Sequence, residues 1–181
     1  MTILETIGTP VGSYAPDFEL PGIDEQVHHL SRYREKFRVT GVVFICNHCP
    51  YVKLYLERLR NIQAEFGNQG FTLIGINGSD VNRHHQESFE YMKAFAQVHE
   101  LNFPYLWDST QDVTYSFGAK KTPMAFVIDS HGVVRYKGQI DDNPQHSEAV
   151  RENYLKRAIA SLLKRQEIHP KETDSIGTSL I

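Results

Sequence analysis

Val39-Thr40-Gly41-Val42-Val43-Phe44-Ile45-Cys46-Asn47-His48-Cys49-Pro50-Tyr51-Val52 is the stretch whose reading decides the fold. Its first seven residues are almost all apolar and rich in β-branched side chains, the pattern of a strand buried on both faces. After Pro50 the period changes. Val52, Tyr55, Leu59, Ile62 and Phe66 recur at steps of three and four, with Lys53, Glu57, Arg58 and Arg60 on the other face, which predicts an amphipathic helix. Pro50 suits the first helical turn, where a missing N–H costs nothing, and Gly67 is placed to close the last. Both cysteines of the chain therefore sit where a buried strand hands over to a helix.

Working outward, Ala15 to Leu20 alternates apolar and polar residues, Pro21-Gly22 turns the chain, and Val27 and Leu30 continue the alternation. That reads as an N-terminal hairpin. Downstream, Phe71 to Ile76 is a second buried strand. Phe89, Met92, Ala96 and His99 mark a helix, and a shorter one fits Thr110 to Gly118. Met124 to Ile128 and Val133 to Lys137 read as strands joined by Asp129-Ser130-His131-Gly132, with Gly placed for positive φ. Leu155, Ala158, Ile159 and Leu162 give a final helix. The predicted order is hairpin, β, α, β, α, a short α, β, β, α. It implies an α/β fold with a central mixed sheet flanked by helices. Residues 1–166 read as one domain and residues 167–181 as a polar C-terminal tail with an apolar tip.

The 181 residues include 40% hydrophobic and 23% charged residues with a net charge of −3, ordinary for one globular domain. No block of one sign marks a nucleic-acid or membrane surface, and no apolar run approaches the ~20 residues needed to span a bilayer. Met1 to Ser13 carries neither a basic nor an apolar leader segment, so a cytoplasmic location is expected. In that compartment ordinary thiols stay reduced.

Two cysteines three apart do not make a structural disulfide framework. Three readings remain: a redox pair, half of a metal site, or coincidence. Zinc wants four ligands, and only His84-His85 offers a second close pair, so no metal and no other cofactor is expected. As a redox pair, Cys46 falls at or near the helix N-cap, where free N–H groups and the helix dipole favour a thiolate. That makes Cys46 the expected nucleophile. Cys49, one turn inside and more buried, would resolve the mixed disulfide. His48 either tunes the thiolate as a partly protonated imidazole or faces solvent. Pro123, before the strand from Met124, is either an unremarkable strand-opening proline or a cis-proline against the dithiol that presents the Thr122 backbone to an extended substrate.

Taken together these residues resemble the thioredoxin superfamily. More narrowly they resemble the peroxiredoxin-like branch of the alkyl hydroperoxide reductase/thiol-specific antioxidant (AhpC/TSA) group. The resemblance rests on Ala15-Pro16-Asp17-Phe18, Cys46 to Val52, Phe103-Pro104-Tyr105-Leu106, Asp108-Ser109-Thr110-Gln111, Thr122-Pro123 and Gly138 to Asp142. It implies a thioredoxin-like fold with an N-terminal hairpin extension and a cis peptide before Pro123. Asn47, Asn77, Asp80, Gln111, Asp141 and Asp142 fall in matching stretches and are possible accessory residues. The bland reading of Asn77 and Asp80 is loop capping. Asp141-Asp142 could offer Cys49 a proton acceptor. Three departures matter. Peroxiredoxins place Thr or Ser, and a Pro, where this chain has Val43 and Val39; thioredoxin's buried acid is Thr40; its Trp is replaced by Phe44-Ile45. Members of the narrower group often carry further cysteines where Lys121 and Thr178 stand here, so no third-thiol relay is expected. The function implied is thiol–disulfide exchange with a protein or small-molecule disulfide and an unidentified thiol reductant or oxidant. The alternatives are a thiol peroxidase and a redox-sensing binding protein.

Overall fold

A computed structural model describes residues 8–180. Residues 1–7, part of the segment read for a leader, and Ile181, one of the two residues of the apolar tip Leu180-Ile181, lie outside the described residues. The hairpin forms from β1 (Glu19–Pro21) and β2 (Val27–His29), paired antiparallel. Leu30 does not continue it. The chain turns directly into helix α1 (Leu30–Lys36), in which Leu30 alone is buried, so the sequence carries no helical period there to oppose the strand reading.

The decisive stretch becomes β3 (Val39–Phe44), buried at every residue, and α2 (Pro50–Phe66), capped by Gly67. There follow β4 (Phe71–Asn77), α3 (Phe89–Val98), β5 (Tyr105–Trp107) and α4 (Asp112–Phe117). Next come β6 (Lys121–Thr122), β7 (Met124–Asp129), β8 (Val134–Gly138), α5 (Tyr154–Leu163) and β9 (Thr178–Ser179). The order predicted above omitted α1, β5 and the short pair β6 and β9. These elements of two to seven residues are too short to show a period. Among the described residues no helix is long and apolar enough to cross a membrane.

The central sheet has the order β5-β4-β3-β7-β8. β3 runs parallel to β4, which runs parallel to β5, whereas β7 is antiparallel to β3 and to β8. The two-residue period of β3 sorts its side chains between two cores. Val39 and Val43 face one with α2, α3 and α5; Val42 and Phe44 face the other, with Phe18, Leu30 and Phe117. Helices thus cover both faces, as the mixed-sheet reading requires.

Register then builds one edge. Phe44 pairs with Ile76 on one side and Met124 on the other, and Ile76 pairs with Leu106. The carboxyl ends of β3 and β4 and the start of β7 therefore lie in one row, the edge where α/β sheets place ligands. Cys46, Asn77 and Pro123 each lie one or two residues beyond that row. The segment read as a tail does not trail away. Ile168 is buried in the first core, Glu172 bridges β8 at Lys137, and β9 pairs with β6.

Candidate active site

Cys46 and Cys49 are joined in a disulfide, their Cα atoms 5.6 Å apart. The helix N-cap is Cys49, with Pro50 at the first helical position; Cys46, expected at or near the cap, lies three residues before it. The expected difference in exposure is also absent, since Cys46 is 0% exposed and Cys49 2%.

The peptide bond between Thr122 and Pro123 is cis, as the resemblance implied. The buried Thr122 hydroxyl donates to Cys49 Sγ at 3.1 Å and lies 3.5 Å from Cys46 Sγ. It is a single donor shared between the two sulfurs and can stabilise whichever becomes a thiolate.

A residue absent from the sequence reading organises the other side of the motif. Glu87, from the loop after β4, is fully buried. Its Oε2 accepts from the Asn47 backbone N–H at 2.8 Å and from Asn77 Nδ2 at 2.6 Å. Its Oε1 accepts from the His48 backbone N–H at 2.9 Å and from the His48 ring through Nδ1. A buried carboxylate needs this degree of satisfaction to stay charged. The two N–H groups following Cys46 are consequently committed to Glu87. The sequence reading had assigned such donors to the Cys46 thiolate.

Tyr105 of β5 closes the network. Its hydroxyl donates to Asn47 Oδ1 at 2.8 Å and accepts from Asn77 Nδ2 at 3.0 Å. Burial, reinforced by the nearby Glu87 carboxylate, pushes its phenol well above the ordinary tyrosine range, so it stays a neutral donor. Asn47 also donates from Nδ2 to the Gln86 carbonyl at 2.8 Å, and Asn77 Oδ1 accepts from the Ser79 N–H at 3.0 Å. Both named asparagines thus belong to the site as scaffold, linking the motif to the 78–87 loop. Tyr105 stood within a family stretch with no role attached. Glu87 lay in Arg83-His84-His85-Gln86-Glu87-Ser88, which reads as polar loop, and nothing in that string signals burial.

His48 does not simply face solvent: one ring nitrogen is held by Glu87, and the ring centroid lies 4.4 Å from that of His84. Asp80 lines a cleft of about 80 Å³ with His48 and Cys49, and its carboxylate accepts from the Asn82 N–H at 2.9 Å. Gln111, at φ 67°, donates to the Gly78 carbonyl at 2.8 Å and steadies the same loop. A Cβ at Gly78 would overlap the Thr114 hydroxyl, so glycine is required there for close approach. Asp141 is buried and spoken for: it accepts from Arg58 at 2.8 Å, from the Tyr55 hydroxyl at 2.9 Å and from the Asn143 N–H at 3.0 Å. Asp142 accepts from the Arg151 N–H at 3.0 Å. Neither carboxylate's hydrogen bonds among the described residues run to a cysteine. Ligand atoms of Cys46, His48 and Cys49 lie within 4.8 Å of one another, so the dithiol form presents three donors for a soft ion; tetrahedral zinc would need a fourth.

Residues 11–137 match the AhpC/TSA family. The chain is 28% identical over 156 residues to thiol-disulfide oxidoreductase ResA of Geobacillus thermodenitrificans (strain NG80-2), spanning 81% of this chain and 82% of that protein. It superposes with TM-score 0.88 on an uncharacterized conserved protein from Geobacillus kaustophilus, at 32% identity over 94% of this chain and 91% of the other. The same TM-score, 0.88, relates it to a hypothetical protein from Sinorhizobium meliloti 1021, at 30% identity over 96% and 94% of the two chains.

Proposed function

Because the chain belongs to the AhpC/TSA family, we propose that its buried cysteine pair trades electrons with the disulfides of extended polypeptides. The chain is a thiol–disulfide oxidoreductase whose redox centre is Cys46–Cys49. The observation that carries the reading is the disulfide itself, packed against the Thr122 hydroxyl beside the cis-proline.

Starting from the dithiol, the Cys46 thiolate attacks one sulfur of a substrate disulfide. A Cys46–substrate bond forms, and the departing substrate sulfur takes a proton. Cys49, deprotonated in turn, attacks Cys46 Sγ; the mixed disulfide breaks and the second substrate thiol leaves. The substrate gains two electrons and two protons, and Cys46–Cys49 is oxidised. Cys46 as the entering nucleophile is the role expected from the sequence, and the Thr122 hydroxyl, 3.5 Å from Cys46 Sγ and 3.1 Å from Cys49 Sγ, can serve either thiolate in turn. In the cytoplasmic setting expected from the sequence, an external thiol donor would regenerate the dithiol and the protein would act as a reductase. Peroxidase chemistry is the weaker reading. Val39 and Val43 are buried in β3 and supply no side-chain donor to a peroxide.

A Cys49→Ser variant tests the reading by leaving the first mixed disulfide unresolved. Incubated with a disulfide-bearing peptide, it should accumulate a covalent adduct at Cys46 that dithiothreitol releases. No adduct, together with rapid consumption of hydrogen peroxide by the native protein, would replace exchange with peroxidase activity.

A further inference from the structure

A cysteine pair whose members are 0% and 2% exposed, as these are in the disulfide, cannot meet another protein's sulfur, because exchange requires in-line access of one sulfur to another. Some part of the molecule must move. The chain's own C-terminal segment is placed to be that part. β9 pairs antiparallel with β6, Thr178 opposite Thr122 and Ser179 opposite Lys121. The Leu180 N–H donates to the Lys120 carbonyl at 2.9 Å. The Thr122 hydroxyl that touches both sulfurs lies 3.5 Å from the Thr178 carbonyl. Ser179 and Leu180 then wall the small cleft that holds His48 and Cys49.

The segment has a fixed root and a light tip. At the root, Thr173 receives hydrogen bonds at its hydroxyl from the Gln139 N–H and its N–H donates to the Lys137 carbonyl, 2.8 and 3.1 Å. At the tip, the two-residue pairing of β9 with β6, the Leu180–Lys120 backbone bond and the packing of Leu180 on the second core hold 178–180, and a strand pair this short does not stay closed in water by its pairing alone. The Ser79 hydroxyl, lining the same cleft, is buried with no hydrogen-bond partner among the described residues. The closed arrangement thus leaves a polar group of the site unsatisfied, as a position awaiting another occupant would be.

We infer that residues 177–180 are a displaceable strap seated in the groove that receives an extended substrate strand, so that substrate adds to β6 by replacing β9. The inference rests on the exchange reading above and names its substrate class: a disulfide-bearing segment in extended conformation, paired through its backbone and carrying small side chains at the positions of Gly177 and Thr178. Gly177 sets the fit. A Cβ there would overlap the Thr122 carbonyl oxygen and come within 2.7 Å of its carbon and 3.2 Å of Pro123 N, backbone atoms that cannot yield. Loss of the strap adds no covalent step; it changes only how often the sulfurs are reachable.

The test uses the full chain in its reduced form. Gly177→Val should lift the tip, and Leu180→Asp should weaken its seat without a backbone clash. Each should raise the iodoacetamide labelling rate of the cysteines and the rate with glutathione disulfide by roughly tenfold, as expected from losing one or two backbone hydrogen bonds. A peptide of sequence Ser-Ile-Gly-Thr-Ser-Leu added to either variant should slow both rates again. Labelling rates equal to native in both folded variants would overturn the strap. Faster labelling in the variants, with no form exchanging with any disulfide, would uphold the strap and overturn the exchange reading instead.

Discussion

Replacing Glu87 by Ala tests whether the carboxylate is the keystone of the motif. The side chain is fully buried and accepts four hydrogen bonds, from the Asn47 and His48 N–H groups, Asn77 Nδ2 and the His48 ring. The His48 ring is one-third exposed and can turn to water, and Asn77 Nδ2 retains the Tyr105 oxygen at 3.0 Å. Two backbone donors lose their acceptor outright. At about 1–3 kcal/mol for each of these two unsatisfied buried donors, the loss should be about 2–6 kcal/mol. For a domain of this size that lowers Tm by roughly 4–24 °C. Glu87→Gln keeps one acceptor oxygen but turns an NH2 toward the other donors, so it should lose less, about 1–3 kcal/mol. Urea unfolding of the oxidised proteins measures both. A loss below about 1 kcal/mol for Ala, or a Gln variant as unstable as the Ala variant, would refute the reasoning.

Three further outcomes are expected. His48→Ala removes the ring that hydrogen-bonds Glu87 beside the dithiol and should disfavour the thiolate. At ~1 kcal/mol the reduction potential should fall by roughly 20 mV, whereas Glu87→Gln should raise it; equilibration with glutathione reads both signs, and shifts of the same sign would disprove the coupling. Stopped-flow oxidation by hydrogen peroxide should be slow, since lacking one donor to the leaving oxygen costs a typical active site ~2.7–4 kcal/mol, a hundred- to a thousand-fold; a rate matching dedicated peroxidases would reverse the assignment. Burial, with smaller contributions from Lys53 and Arg60, holds His99 below the usual histidine value. The unfolded chain therefore binds the proton first, and stability should decline as pH falls from about 6.5 toward the folded value; His99→Gln should flatten that slope, and an unaltered slope would show that other groups govern it.

The long elements were legible because their periods are long: six buried residues in β3 and a 17-residue helix with six buried positions leave little choice of fold. The dithiol was legible from its spacing alone. What could not be read was depth. Glu87 and Glu90 stand three positions apart, yet one is wholly buried and the other exposed, a difference made by β4 and β5 lying side by side. The role of Asp141 turned on Arg58 and Tyr55 from another element, and the placement of the tail on the pairing of residues 56 positions apart. Periodicity reports a segment's own face, not what the rest of the chain brings to it.

The Glu87 network also limits transplantation. Because the N–H groups of Asn47 and His48 are bonded to a carboxylate 39 residues on or farther, the tetrapeptide Cys46 to Cys49 is half of a two-part device. An engineer who grafted it onto a different scaffold would carry over two thiols but not the loop that fixes their backbone. The graft would need the Asn77-to-Glu87 loop as well, joined to a strand offering a tyrosine at the height of Tyr105. A library that varies Asn47 and His48 while holding Glu87 constant should for the same reason recover no folded members with proline at either position, since every other residue keeps the N–H that the carboxylate accepts.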